Sequence, residues 1–166
     1  MSSSERGQRN WINIWWPVAL GICVILLEST ESLGADHTSG PLRRFFTALF
    51  GPVCDAQWYL VHHYIRKTGH FFGYGLIGLA WLRAWWLTLP HSRLFQDVLL
   101  ALLGTAAIAS FDEWHQTFLP NRTGSPFDVM IDCTGAITLQ LIVYLYMCLF
   151  QTKKLVHTAS STHTHA

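Results

Sequence analysis

Ionisable side chains of this sequence concentrate in three short stretches that border long apolar runs. The first stretch spans residues 66–74, the second spans 112–116 and the third spans 121–135. Histidines and carboxylates are the groups that most often move protons near neutral pH. The candidates for proton transfer are therefore His70, Asp112, Glu113 and His115.

Basic and hydrogen-bonding side chains in the same stretches could hold an anionic ligand. Guanidinium and ammonium groups bind phosphate and carboxylate, and a carboxylate inside an apolar run needs a partner. The candidate ligand-binding residues are Arg66, Lys67, Tyr74, Gln116, Arg122, Ser125, Asp128 and Asp132. The histidines and carboxylates could also ligate a divalent metal. However, no zinc or EF-hand spacing is present, so we predict neither a metal nor a cofactor.

Helical spacing places these residues on common faces. The three faces are Arg66–His70–Tyr74, Asp112–His115–Gln116 and Asp128–Asp132–Gly135, in which Gly135 permits close helix approach. Each face also has a purely structural interpretation. Residues 125–128 have capping-box spacing with Asp in place of Glu, so Asp128 could simply cap a helix. Arg66 and Lys67 could be ordinary anchors at the membrane interface.

The elements that carry these faces are long apolar segments. Hydrophobic residues make up 51% of the chain and charged residues only 13%, about half the usual share for a soluble domain. The four segments span residues 11–27, 71–89, 94–111 and 129–150, and each can cross a bilayer as a helix. The first segment could instead be a cleaved signal peptide, but it carries three Trp and no small-x-small cleavage site follows. We predict an all-α integral membrane bundle of four transmembrane helices within one domain, residues 1–150.

Two segments outside this bundle are less apolar. A long polar connection, residues 29–67, contains a turn signal at Thr38–Pro41, and then Leu42 to Phe50 with helical spacing. This part could be a helix on the membrane surface or a cap over the bundle, with neither favoured. Residues 151–166 are rich in Ser, Thr and His, which predicts a disordered cytoplasmic tail.

Alternating passages put all three polar stretches on the same side of the membrane. Basic residues near segment ends number six on the side of the termini and five on the other side, which favours cytoplasmic N- and C-termini. The polar stretches would then face outward. The net charge of +1 argues against a nucleic-acid partner, and the expected surroundings are the lipid bilayer.

At the polar stretches the sequence resembles the VanZ-like family. The matching residues are Arg66, Lys67, His70, Phe71, Tyr74, Asp112, Glu113, His115, Gln116, Pro120, Arg122, Gly124, Ser125, Asp128, Asp132 and Gly135. The match covers about residues 60–150 and, more loosely, the first helix, whose Glu28–Ser29 end could share the polar face. One departure is Arg66, where a small or acidic residue is common in the family.

The resemblance implies a multipass protein of the bacterial cell (inner) membrane, and the family's founding member is associated with low-level teicoplanin resistance. It implies no agreed reaction. We predict an outward-facing pocket that binds or modifies an anionic envelope ligand, lipid-linked or peptidoglycan-related. The alternatives are a non-enzymatic accessory or binding protein and a small transporter component, so enzyme activity stays open.

Overall fold

The chain folds as α-helices connected by short segments. The computed structural model describes residues 11–30, 35–89, 93–119, 122 and 124–163, and all regular structure in these ranges is helical. The helices are α1 (Trp11–Glu28), α2 (Ala35–Phe50), α3 (Asp55–Thr88), α4 (Leu94–Gln116) and α5 (Pro126–His163). The predicted all-α fold class is confirmed.

Three of the described helices are long and apolar enough to cross a membrane. They are α1, α4 and the part Pro126–Leu149 of α5. Many large apolar side chains on these helices are exposed, among them Leu20, Leu103 and Leu141. A soluble monomer rarely exposes so much apolar surface, and the chain is therefore a membrane protein. The fourth predicted span, residues 71–89, lies mostly within α3, which is less apolar because it contains Arg83. The count of four is not confirmed.

Helix α3 is the centre of the bundle. It packs against α1, α4 and α5, and most extensively against α5. Its 34 residues extend about 51 Å, which exceeds the roughly 30 Å of a hydrocarbon core. The first turns of α3 therefore project beyond the packed bundle.

The predicted long polar connection is largely helical. Helix α2 and the first 13 residues of α3 fill most of residues 29–67, and the turn predicted at Thr38–Pro41 is wrong because these residues lie inside α2. Polar contacts hold α2 against the start of α3. Arg43 forms an ion pair with Asp55 at 2.8 Å, and Trp58 Nε1 donates to Ser39 Oγ at 2.7 Å. The apolar side chains at the end of α2 (Phe45, Leu49 and Phe50) are exposed, which favours a surface helix over a cap.

A glycine permits α3 and α5 to approach closely. A Cβ atom at Gly135 of α5 would collide with the backbone carbonyl oxygen of Phe71 in α3. On α3, a Cβ at Gly78 would lie 2.8 Å from that of Ala136. Small residues at such contacts are typical of membrane helix packing. The predicted role of Gly135 agrees with this contact.

Arg83 binds the beginning of α1 rather than headgroups alone. Pro17 lies inside α1 and has no N–H, so the Asn13 carbonyl lacks its usual helical donor. The guanidinium of Arg83 donates to the Asn13 oxygen at 3.4 Å and to the Ile14 oxygen at 3.0 Å. Neighbouring side chains commonly satisfy backbone groups that Pro leaves free in membrane helices.

Helix α5 continues to His163, through most of the predicted tail. Disorder of the tail in solution stays a prediction. Parts of the sequence argument lie outside the described residues. They are Arg6 and Arg9, two of the six basic residues counted on the side of the termini, Pro120 of the family pattern, and residues 121 and 123 of the third polar stretch.

Candidate functional site

Helices α3 and α5 meet through two pairs of charged side chains. Lys67 Nζ donates to Asp128 Oδ1, and the two groups form an ion pair. One helical turn further into the bundle, His70 Nδ1 lies 3.2 Å from Asp132 Oδ1. Asp132 is completely buried. The two carboxylates thus fix the register of α5 against α3 at this end.

Helix α4 adds a buried carboxylate to the same cluster. Asp112 Oδ2 accepts hydrogen bonds from Tyr74 Oη at 3.0 Å and from Gln116 Nε2 at 3.1 Å. Asp112 and Gln116 are both buried. Asp112 and Gln116 of the predicted face are therefore buried together, and Tyr74 links them to α3, whereas the third member, His115, is exposed.

Glu113 binds the loop that leads into α5. Its Oε2 accepts the backbone N–H of Ser125 at 2.7 Å. The loop lies so close to α4 that a Cβ at Gly124 would collide with the Glu113 carbonyl oxygen. Glu113 thus connects α4 to the loop before α5.

The start of α5 is capped by Ser125 and not by Asp128. Ser125 Oγ accepts the backbone N–H of Phe127 at 3.2 Å, whereas the Asp128 carboxylate accepts from Lys67. A serine oxygen on the second N–H of a helix is an ordinary N-cap. The interpretation of Asp128 as only a capping residue is therefore wrong.

The end of α1 completes the cluster. Ser29 is buried, and its Oγ lies 3.2 Å from His115 Nδ1. Arg122 Nη2 donates to the backbone oxygens of Glu28 at 2.8 Å and Thr30 at 3.1 Å. Four helices therefore contribute to one polar cluster, as the Glu28–Ser29 end of the first helix indicated.

A small pocket lies among these side chains. Its volume is about 30 Å³, and its polar lining comes from Glu28, Ser29, His70, Asp112, Gln116 and Arg122. A water molecule needs roughly 10–15 Å³ on the same measure. The pocket can hold one or two waters or a bare ion, but not a lipid headgroup.

Several buried polar atoms of the cluster have no hydrogen-bond partner in the part of the chain that the structure describes. They are Asp112 Oδ1, Glu113 Oε1, Asp132 Oδ2 and Arg122 Nε. An unpaired polar atom away from water costs roughly 1–3 kcal/mol and more when charged. The cluster is therefore incomplete without some further partner.

The arrangement is rich in negative charge. Four carboxylates (Asp112, Glu113, Asp128, Asp132) lie among Lys67, Arg122 and the titratable His70. At the edge, burial and the nearby charge of Arg66 lower the pKa of Arg122. Arg66 is half-buried and, among the predicted site residues, it alone forms no hydrogen bond or ion pair with a described residue. This peripheral position matches its departure from the family pattern.

Three groups of the cluster, two of them buried, could together ligate a metal ion. One ligand atom each from His70, Glu113 and Asp132 lies within 4.8 Å of the other two. No local pattern in the sequence indicates this group, because its members come from α3, α4 and α5. Only the packing of the three helices reveals it.

Comparison with known protein families identifies the family of this chain. The VanZ/LLP1 family model matches residues 10–151. The chain belongs to the VanZ/LLP1 family. Among curated proteins none matches it, and no solved structure does.

The VanZ/LLP1 match extends the region of resemblance, since it includes α1, α2 and the whole cluster. The predicted site residues other than Arg66 all take part in contacts at one end of this VanZ/LLP1 bundle. Their roles in proton transfer and ligand binding stay predictions.

Proposed function

We propose that this VanZ/LLP1 protein crosses the bacterial cell (inner) membrane four times and binds or modifies an anionic envelope ligand at its outer face. The observation that carries this proposal is the convergence of four helices on one buried ionisable cluster at one end of the bundle. Ionisable residues at membrane depth are costly, and they are usually functional where they persist.

The fourth crossing is assigned to α3, residues 71–88. This part of α3 packs against α1, α4 and α5, which are each long and apolar enough to span. A helix that packs between spanning helices needs less apolar surface, and Arg83 finds its acceptors on α1. We therefore expect α3 to cross with its neighbours.

Labelling of cysteines from outside the cell tests this topology. Cys54 is exposed between α2 and α3, on the side of the cluster. A membrane-impermeant maleimide should label it in intact cells, and Cys54→Ser should remove the signal. An Arg93→Cys variant in that background should stay unlabelled until the cells are opened. Labelling of both positions from outside would contradict the crossing by α3.

The ligand is proposed to carry phosphate or carboxylate. Arg122 has a buried Nε without a partner among the described residues, and Arg66 is near enough for its charge to lower the pKa of Arg122. Guanidinium groups bind such anions well. Because the pocket is too small for a headgroup, the anion would lie at its mouth, as in a lipid-linked or peptidoglycan-related molecule.

Binding can be measured with a polyprenyl phosphate in detergent. The phosphate should raise the unfolding temperature of the purified chain, whereas the uncharged polyprenol should not. Arg66→Gln should reduce the shift, and Arg44→Gln, at an exposed position of α2, should not. Equal shifts with phosphate and polyprenol would exclude recognition of the anion.

A contribution to glycopeptide resistance is the physiological part of the proposal. Expression of the chain should raise the teicoplanin concentration that inhibits growth, relative to the empty vector. Arg66→Gln should abolish the increase at equal protein level, and Arg44→Gln should retain it. Unchanged susceptibility with the wild-type chain would remove the resistance role.

A further inference from the structure

The carboxylates of the cluster outnumber the permanent cations that contact them. Lys67 pairs with Asp128, and Arg122 is directed toward backbone oxygens of α1. We propose that His70, Glu113 and Asp132 bind one divalent transition-metal ion, Zn²⁺ or Mn²⁺. Metal binding itself does not depend on the anionic ligand proposed above, although the two sites adjoin.

Two of the three ligand atoms are already spaced as a metal site requires, and the third lies nearby. Metal–nitrogen and metal–oxygen bonds of about 2.1 Å put neighbouring ligand atoms roughly 3.0–3.4 Å apart. His70 Nδ1 and Asp132 Oδ1 are already 3.2 Å apart, and the atom of Glu113 completes a group within 4.8 Å. An ion would take the place of the proton between the imidazole and Asp132. A small movement of the Glu113 side chain would then close the site.

The burial of Asp132 and Glu113 supports the metal site independently of the distances. Asp132 is 0% exposed and Glu113 is 4% exposed, and each has one oxygen without a partner in the described structure. Desolvating an unpaired carboxylate oxygen is costly, and a buried carboxylate is normally paired or bound to a metal. A divalent ion would take up the free oxygen of Glu113, would satisfy Asp132 Oδ2 if that carboxylate bound through both oxygens, and would offset the excess negative charge.

The supporting contacts resemble those of a preorganised metal site. The Ser125 N–H holds the other oxygen of Glu113 at 2.7 Å, which orients the carboxylate. Such contacts to ligand side chains tune metal affinity. Each of the three ligands comes from a different helix, so packing fixes their relative positions before the ion binds.

The donor set indicates the kind of ion. Mg²⁺ and Ca²⁺ prefer oxygen donors alone, whereas imidazole suits transition metals such as Zn²⁺. One nitrogen and two carboxylates leave coordination positions open. A bound ion would therefore supply positive charge to a phosphate or carboxylate at the mouth of the pocket.

The first test measures metal binding by the full chain in detergent, without any envelope ligand. The tail histidines are replaced by His157→Gln, His163→Gln and His165→Gln, and the affinity tag contains no histidine. After chelator treatment, Zn²⁺ and Mn²⁺ are titrated by calorimetry and the retained metal is measured by mass spectrometry. We expect one ion per chain for at least one of the two metals.

Matched variants locate the ion. Asp132→Asn and Glu113→Gln should each weaken binding at least about tenfold. Asp55→Asn, whose side chain is 93% exposed, and His63→Ala, at an exposed position of α3, should bind like the parent. Full affinity in both site variants would overturn the proposal, as would a folded parent that retains no ion. In the latter case a shared proton would satisfy the carboxylates.

A second measurement does not require that carboxylate variants fold. Pulsed electron paramagnetic resonance of the Mn²⁺-loaded parent should show one imidazole nitrogen on the ion, and His70→Gln should lose it. A Mn²⁺ signal without nitrogen would overturn the site. Failure of the polyprenyl phosphate assay with intact metal binding would reject the anionic ligand alone.

Discussion

Substitution of Gly135 by Ala should separate the two helices that hold the cluster together. The new Cβ would collide with the Phe71 carbonyl oxygen and would lie 2.9 Å from the carbonyl carbon. Non-bonded carbon and oxygen atoms normally stay at least about 3 Å apart. The carbonyl oxygen is the nearest obstacle, and backbone cannot rotate away, so helix α3 must move back by about 1 Å.

This movement is large enough to break the adjacent hydrogen bond. His70 Nδ1 and Asp132 Oδ1 are 3.2 Å apart, so the separation would grow to about 4.2 Å, which is no longer a hydrogen bond. Overpacking costs about 1–3 kcal/mol, and a hydrogen bond to a charged group contributes about 1.5–3 kcal/mol. Gly135→Ala should thus lower the free energy of unfolding by about 3–6 kcal/mol.

The assay is thermal unfolding of the purified chain in detergent, followed by Trp fluorescence. For a chain of this size, 1 kcal/mol corresponds to about 2–4 °C, so the unfolding temperature should fall by at least about 6 °C. Gly40→Ala is the matched control, because a Cβ at Gly40 of α2 meets nothing within 4 Å. Alanine is the better helix former, and the control should be neutral or slightly stabilising.

A third glycine tests the distinction between backbone and side-chain obstacles. A Cβ at Gly75 would lie 2.5 Å from Leu139 Cδ1, and Leu139→Ala in the same chain should relieve much of this clash. No single side-chain substitution should relieve Gly135→Ala in this way. Equal unfolding temperatures for Gly135→Ala and Gly40→Ala would show that the helices do not pack as closely as the structure requires.

Three further predictions concern buried polar contacts and use the same unfolding measurement. Lys67→Met should cost about 3–5 kcal/mol because it leaves the largely buried Asp128 unpaired, and adding Asp128→Asn should restore most of the loss. Arg83→Met should lower the free energy of unfolding by about 1–3 kcal/mol, because it removes the donors to α1. The loss should be smaller in a Pro17→Ala background, which restores the helical donor, and equal losses in both backgrounds would contradict this pairing. Tyr74→Phe should cost about 1–3 kcal/mol through the lost hydrogen bond at 3.0 Å to the α4 carboxylate, whereas no change would place that hydroxyl in water.

The helical class and the approximate helix positions follow from the sequence because hydropathy and segment length act locally. Because such patterns are local, they also led to the wrong prediction of a turn at Thr38–Pro41. Helix α2 includes Pro41 and Gly40, whose usual turn preference is overridden here by contacts to the start of α3, such as the ion pair between Arg43 and Asp55. A tertiary contact of this kind leaves no trace in a local pattern.

The members of the cluster could be chosen from the sequence, but their partners could not. Spacing places Asp112 and Gln116 one turn apart, and the structure shows that hydrogen bond. It cannot place Glu113 on the Ser125 N–H, because that contact depends on how the loop folds onto α4. The possible metal group, with one ligand from each of three helices, is invisible to motif searches for the same reason.

In this protein the side chains proposed to act on the ligand also hold the helices together. Removing one partner of a buried pair, such as Lys67, costs enough to unfold many membrane proteins. A loss of activity in such a variant would then reflect unfolding, and not the removal of a group that binds the ligand or transfers a proton. Arg66 differs, because it has no paired partner among described residues. Its substitution should change stability by roughly 0.5 kcal/mol or less, so a phenotype there would report on the ligand rather than on the fold.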